Sequence, residues 1–439
     1  MVYLLSKLNS LIGIMKISSF FEIFRSNFFT KKYIFLFFSY FLTGICLVLF
    51  NFVLANTFSE YEFGLFASLY AICMVFSQIT HVGAPSFILN KYGMGNLYDS
   101  GSIETLKKFL FFNALLTSIF FILILPLTQK DISLNYFLMF LPLILVQSLF
   151  ELIITKFQVN NKYTQLSFFN FIPNLSRLLL LTLFYLLSSL KNFTFFLQLY
   201  MLLNLVLLFF MLRNQQFSLK LITEIWNPII YLKNYLESFL STLKFGLYEI
   251  LFIAYVQLPI VVVGFFYGFE EVAIVAVAVT VINIFLMPSA VFQKVYTPEI
   301  HLSASEGVDL HKATNNRFTL AMLIMGILMS LLTYFLGKFI PYFFLENTYS
   351  ISLQFIEVLS LYILFRYLVS PNSISLLTLN HTKALNNIII GVIFFQLILL
   401  TYILNFEYFK ITYVAWVMVL TEMLFFILLR LYLTKKVFT

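Results

Sequence analysis

The sequence predicts an all-α polytopic membrane protein of about 12 transmembrane helices in two six-helix halves, and three observations predict it. Of 439 residues, 61% are hydrophobic and only 10% carry a charge. A soluble domain averages about 25% charged residues, so there is too little polar surface here to cover a fold in water. Apolar runs about 20 residues long, enough to cross a hydrocarbon layer of ~30 Å, recur along the whole chain. The cations between those runs alternate in abundance from one loop to the next. A soluble enzyme, a nucleic-acid binder and a disordered scaffold are excluded together. With loops averaging about 12 residues between spans of about 22, an extramembrane domain such as an ATPase cassette does not fit.

In order, the apolar runs predict spans at 33–55, 64–83, 108–128, 134–155, 166–188, 193–213, 244–266, 271–294, 317–340, 352–379, 384–405 and 411–432. Residues 33–213 make an N-terminal six-helix bundle and 244–432 a C-terminal one. Residues 1–32 hold Lys7, Lys16 and Arg25, which interrupt each apolar run before it reaches the length of a signal-peptide core. A basic amphipathic segment on the cytoplasmic membrane surface is expected there. The linker 214–243 carries Lys220, Trp226, Pro228 and Lys233 among apolar residues, as suits a segment at the cytoplasmic interface. Residues 433–439 form a short tail.

Orientation follows from the cations. If the N-terminus is cytoplasmic, 21 Lys/Arg fall on that side, 4 on the other, and Arg177 and Arg366 lie within spans. Acidic residues divide 8 to 7, so the bias belongs to the cations, as the positive-inside rule requires. Both termini are expected in the cytoplasm. Cys46 and Cys73 fall inside spans and are expected to be packing residues rather than a disulfide framework.

The halves carry a short repeat. Glu62-Phe63-Gly64-Leu65-Phe66-Ala67 follows span 1, and Glu271-Val272-Ala273-Ile274-Val275-Ala276 follows span 7, 209 positions later. Each is an acidic outer turn followed by a small residue that opens the next helix. Two halves that both begin inside imply parallel repeats about an axis along the membrane normal.

Polar residues inside spans are the informative exceptions, because a charge at mid-bilayer costs roughly 2.5–3.5 kcal/mol even on lenient scales. In span 5, Ser167, Asn170, Asn174 and Arg177 fall within about 80° of arc, and Tyr185 and Ser188 extend the line. Such a stripe either lines a wet cavity or bonds to a neighbouring helix; an arginine exceeds what helix association needs, which favours the cavity. Shorter stripes join Gln147, Glu151 and Gln158 in span 4, Tyr40, Thr43, Gly44 and Asn51 in span 1, and Tyr70, Ser77 and His81 in span 2. In span 10, Glu357 and Arg366 are nine residues apart and face opposite ways, while Arg366 shares its face with Tyr362, Ser370 and Ser373. Glu422 in span 12 has no polar neighbour on its own face. Glu422, Glu249 and Glu151 are the candidate proton or Na+ sites; a protonated structural carboxyl is the alternative for each. His81, His301, His311 and His381 lack metal-ligand spacing, and no catalytic constellation or phosphate loop is present. Neither a cofactor nor a metal is expected.

Five short motifs carry a family likeness: Ser59-Glu60-Tyr61-Glu62-Phe63-Gly64-Leu65-Phe66, Val82-Gly83-Ala84-Pro85, Lys244-Phe245-Gly246, Thr297-Pro298-Glu299-Ile300 and Leu336-Gly337-Lys338. With them, residues 30 to 435 resemble the polysaccharide-transport flippases of the multidrug/oligosaccharidyl-lipid/polysaccharide exporter superfamily, especially the O-antigen (Wzx-type) flippases. One departure is plain: where that family often has an Asp five residues before a Gly in span 7, this chain has Pro259 before Gly264. The resemblance implies a MATE-like fold and a non-enzymatic transporter in a bacterial inner membrane. It would carry a polyprenyl-diphosphate-linked oligosaccharide, an O-antigen or capsule repeat unit, from the cytoplasmic to the outer leaflet, with polysaccharide polymerase machinery as a partner. On that reading Arg177 and Arg366 neutralise the diphosphate, while Asn170, Asn174, Gln147, Tyr40 and Tyr362 meet sugar hydroxyls. Two other readings remain: a small-molecule or drug exporter of the same superfamily, whose cavity would favour acids over arginines, and an integral-membrane polymerase or glycosyltransferase, which needs longer outer loops.

Overall fold

The computed structural model describes residues 31–93, 109–110, 112–123, 132–160, 162–187, 192–214, 228–345, 349–405 and 410–438. The expected amphipathic segment before residue 31 and the first part of the interfacial linker, 215–227, lie outside the described residues, as do Ser188 and most of the turn before span 12.

The chain is helical throughout the described residues. In the N-terminal half come α1 (Lys31–Thr57), α2 (Glu60–His81), the short α3 (Ala84–Gly93), α4 (Phe112–Leu123), α5 (Leu134–Val159), α6 (Tyr163–Leu187) and α7 (Phe193–Asn214). The C-terminal half holds α8 (Pro228–Phe266), α9 (Phe269–Glu306), α10 (Val308–Leu336), the short α11 (Phe339–Phe344), α12 (Ser350–Thr378), α13 (Thr382–Leu404) and α14 (Tyr413–Tyr432), followed by a π-helical turn, Leu433–Val437. Eleven helices are long and apolar enough to cross a bilayer, and α4, described for 12 residues, takes the place of the third predicted span. The chain is a multi-pass membrane protein.

The linker was expected to lie along the interface to residue 243; from Pro228 onward the chain is helical and continuous with the seventh span as α8. Proline is tolerated in the first turn of a helix, where its missing N–H has no intrahelical partner, so Pro228 opens the element rather than breaking it.

Local chemistry sets the turns. Ser59 and Glu62 form a reciprocal capping box at the start of α2: the Glu62 N–H donates to Ser59 Oγ at 3.3 Å and the Ser59 N–H donates to Glu62 Oε2 at 3.0 Å. At its other end Val82 adopts the left-handed conformation (φ 43°), and its N–H donates to the Gln78 carbonyl at 3.0 Å. Large apolar side chains such as Leu186, Phe209, Phe265, Phe343 and Ile398 point outward, as expected of surfaces bathed in lipid.

Within the halves, α1 packs on α6 and α5 on α7, while α12 packs on α9, α10 and α14. The halves meet through α9 against α1 and α2, and α8 against α2. An apolar core runs across that boundary, joining Phe52, Phe63 and Phe66 to Val272, Val277 and Ile363. Close backbone approach is what makes small residues necessary there. A Cβ on Gly64 would fall 1.6 Å from the Phe269 carbonyl oxygen and 3.2 Å from the Ala273 nitrogen, so the two copies of the short repeat touch each other. Cys46 and Cys73 are buried and unbridged.

Candidate functional site

In the C-terminal half a polar cluster forms where α8, α12 and α14 converge. Tyr248, Phe252 and Tyr255 recur at i, i+4 and i+7 along one face of α8, and Tyr362 and Arg366 at i, i+4 along α12. Arg366 Nη1 donates to Glu422 Oε1 at 3.3 Å, and the Tyr255 hydroxyl donates to Glu422 Oε2 at 2.8 Å. The guanidinium carbon lies 4.0 Å from the centre of the Phe252 ring, a cation–π contact. Glu422 is fully buried, whereas the Arg366 side chain is 16% exposed. Glu422 is therefore not isolated: the expectation considered only its own helix, and its partners come from α8 and α12. Glu357, as the helical geometry required, does not reach Arg366; it pairs with Lys338 at the far end of α12.

The N-terminal stripe resolves into two parts. Ser39 Oγ donates to the Ser167 backbone carbonyl at 2.7 Å, while the Ser167 hydroxyl is buried without a partner among the described residues. Asn170 Nδ2 donates to Thr43 Oγ1 at 3.2 Å, so of the two side chains Asn170 is the one that bonds to α1. Asn174 is half-buried one turn further on. Arg177 is 3% exposed rather than facing a wet cavity, and Tyr70 and Tyr200 are its polar neighbours. No partner occupies its Nε or Nη2 among the described residues, and no carboxylate lies against it. The Tyr200 hydroxyl is likewise buried without a partner, in a ring of aromatics with Phe66 (5.4 Å) and Phe140 (5.8 Å).

A third polar group crosses between the halves. Ser86 Oγ in α3 donates to the Glu249 carboxylate in α8, and Lys294 Nζ in α9 donates to Gln158 Oε1 in α5 at 3.1 Å. Glu151 faces Lys294 and also Tyr40, which is itself buried against Val146 and Phe150. Gln147, a turn away on α5, is half-buried. A cleft of about 200 Å³ adjoins these pairs, lined by Ser86, Gln158, Gln293, Lys294 and His301 among others. Burial, and next to it His311, hold the His301 imidazole below its ordinary range.

Arg366 and Tyr362 thus adjoin Glu422, and Tyr40 adjoins Glu151, but the two arginines belong to separate clusters in separate halves. Sequence reading passed over Tyr248, Tyr255, Ser86 and Lys294. The aromatic periodicity along α8 could have pointed to the first two, but Ser86 and Lys294 carry no local signal. His81, at the end of the span 2 stripe, is 1% exposed with both ring nitrogens unpartnered among the described residues. Among the described residues no group of side chains could hold a metal ion.

No family model matches the sequence, and neither does any curated protein at a significant level. Solved structures do match. A MATE in complex with MaL6 superposes with a TM-score of 0.66 over 93% of this chain and 96% of that one, at 12% identity. The chain has the MATE transporter fold. A MOP superfamily transporter from Pyrococcus furiosus, described by the reverse polarity of its binding pocket, gives a TM-score of 0.65 at 12% identity over 93% and 95%. An outward-facing multidrug resistance MATE family transporter gives 0.63 at 11% identity over the same shares.

Proposed function

We propose that this protein is a flippase that carries a polyprenyl-diphosphate-linked oligosaccharide from the cytoplasmic to the outer leaflet of a bacterial inner membrane, with both termini in the cytoplasm, by rocking of its two halves. One observation carries the reading: each half holds one in-span arginine, Arg177 with Nε and Nη2 unpartnered among the described residues and Arg366 with only Nη1 bonded, to Glu422, among them. Two cations placed so suit an anionic headgroup. Arg177 is enclosed in this state, so its contact with a headgroup belongs to another state of the cycle. The need for such a protein is physical. Each unpartnered hydroxyl costs about 2–7 kcal/mol to move into hydrocarbon, and a repeat unit carries many besides its diphosphate. A barrier of about 30 kcal/mol corresponds to roughly one crossing in 10⁹ seconds. Polar side chains between the halves lower it by replacing water, while the lipid tail stays in the bilayer. Among similar structures, the one described by a binding pocket of reverse polarity was taken to have a different function; in-span arginines on this fold fit that kind of departure.

Export of small cationic compounds is a second reading, favoured by Glu249 and Glu422 inside the C-terminal spans. A polymerase or glycosyltransferase fits less well, because the described outer turns after α1 and α8 are two residues long. One experiment separates the three. In proteoliposomes holding a fluorescent lipid-linked oligosaccharide, a flippase exposes the inner-leaflet pool to an added glycosidase. A polymerase instead lengthens the glycan. An exporter does neither, and its expression confers resistance to cationic dyes. Unchanged glycosidase access with the pure protein would reject the flippase.

A further inference from the structure

The Arg366–Glu422 pair is asymmetric. Both carboxylate oxygens of Glu422 are engaged, one by Arg366 and one by Tyr255, and the residue is fully buried. The guanidinium uses only Nη1 on Glu422 and lays one face on Phe252. Its Nε and Nη2 have no protein acceptor among the described residues, and neither is a sealed atom. The arginine therefore presents an unoccupied, planar N–H edge on the side away from its carboxylate, the geometry that takes two oxygens of a phosphate.

An anion on that edge would sit on the order of 7 Å from the Glu422 carboxylate, with one cation shared between two anions in a medium where charges interact strongly. Two anions so placed cannot both keep their charge at low cost. The titratable or charged groups facing Glu422 are Arg366 and Tyr362 from α12 and Tyr255 and Tyr248 from α8. Only the carboxylate can relieve the repulsion near neutral pH, and it does so by taking a proton. We propose that binding of a diphosphate at the open edge of Arg366 and uptake of a proton by Glu422 are one linked event. The balance is simple: an ionised carboxylate becomes a neutral carboxyl, the Arg366–Glu422 pair goes from neutral to +1, and that charge offsets one of the negative charges the diphosphate brings. The Tyr255 hydroxyl can still donate to Oε2 of the neutral acid.

The sign has a mechanistic result. Anion and proton load together at this site, so Glu422 moves its proton in the same direction as the substrate. An inward proton gradient cannot drive outward transport through this pair, which leaves any exchange of opposite direction to other groups. The inference rests on the headgroup reading above, and it is tested without transport.

The test is calorimetric titration of the full chain in detergent with farnesyl diphosphate, in two buffers of different ionisation enthalpy between pH 6 and 8, for the parent and Glu422→Gln. The terminal phosphate of the ligand also titrates at about pH 6, and Tyr255→Phe, which alters the carboxylate but no charge near the ligand, separates its proton uptake from that of Glu422. The parent is expected to take up close to one proton per ligand more than Glu422→Gln, and to bind more tightly as pH falls. At pH 7.5 the variant, already neutral at this position, is expected to bind about ten- to fiftyfold more tightly than the parent. Tyr255→Phe serves if Glu422→Gln fails to fold: removing a donor to the carboxylate favours the neutral acid, so proton uptake at pH 7.5 should fall. Equal proton counts in parent and variants would overturn the linkage while leaving the headgroup reading in place. Absence of farnesyl diphosphate binding at every pH would overturn both.

Discussion

Gly83 and Gly246 meet backbone against backbone where the two halves adjoin: a Cβ on Gly83 would lie 2.2 Å from the Gly246 Cα, and one on Gly246 would lie 2.2 Å from the Val82 carbonyl carbon. The contact has no side chain that could yield. Gly246→Ala is expected to cost about 1–3 kcal/mol by overpacking and to lower the melting temperature in detergent. Gly391, with nothing within 4 Å, is the internal control. There an alanine removes the entropic disadvantage of a mid-helix glycine, and Gly391→Ala should melt no lower than the parent. Equal melting of all three proteins would show that the halves are not held as described.

Arg177 tests whether a cation is kept at a cost for function. Removed from water without a carboxylate partner, it is destabilising by several kcal/mol. Arg177→Met, similar in reach and uncharged, should therefore raise the melting temperature. Flipping should fall by about 10-fold or more, the value of a charge-assisted hydrogen bond worth ~1.5–3 kcal/mol. Loss of stability together with activity would make Arg177 structural.

Glu422 and Arg366 should behave as a unit. Arg366→Met alone strands a buried carboxylate and is expected to destabilise by about 3–5 kcal/mol. Adding Glu422→Leu removes the stranded group, and the double variant should regain most of the loss. A double-mutant cycle followed by thermal melting reads the coupling; additive losses would mean that the pair does not interact.

The orientation can be checked from outside intact cells. Tyr61 and Tyr267 sit at exposed turns on the side poor in cations, and Leu302 and Leu310 at exposed positions on the rich side. Cysteines at the first two should react with a membrane-impermeant maleimide and those at the second two should not. The reverse pattern would invert the topology.

His301 lies beyond the spanning part of α9, and burial holds its imidazole below the ordinary range, with Nδ1 unpartnered. Its folded-state titration lies below that of the unfolded chain, near pH 6.5. Its contribution to stability is therefore complete above that value and is lost as pH falls through the lower, folded one. Melting of the parent should drop as pH falls below about 6.5, and His301→Gln should flatten part of that drop.

Much of the architecture is legible in the chain. Predicted spans and observed helices differ by only a few residues at most ends, because burial in hydrocarbon imposes a length that hydropathy reports directly. The repeat around Gly64 and Ala273 was readable as a pattern, and it proved to be a contact. Where helices run past the bilayer, as at Pro228 and beyond Lys294, hydropathy has nothing to report, and the linker was read as separate from α8. Pairing between helices was the larger gap. A helical wheel places Asn170 and Arg177 on one face, yet α1 offers Thr43 to the first, while Nε and Nη2 of the second have no partner among the described residues. Periodicity tells which way a side chain points and is silent about what waits there.

The length of α9 has a mechanical consequence. Its 38 residues measure about 57 Å along the helix at 1.5 Å per residue, nearly twice the ~30 Å of hydrocarbon it crosses, with Pro288 and Pro298 as internal bending points. At its tip, on the side rich in cations, Gly307 (φ 134°) turns the chain into α10, and Ser303 and His311 bridge the turn at 3.3 Å, so the end is a stiff hairpin rather than a loose loop. A rod held near the membrane centre and protruding this far is a lever. A tilt of about 15° at the pivot would sweep the tip through on the order of 10 Å. The same ratio works in reverse: a molecule gripping the hairpin outside the membrane could hold the bundle still with far less force than any contact made inside it.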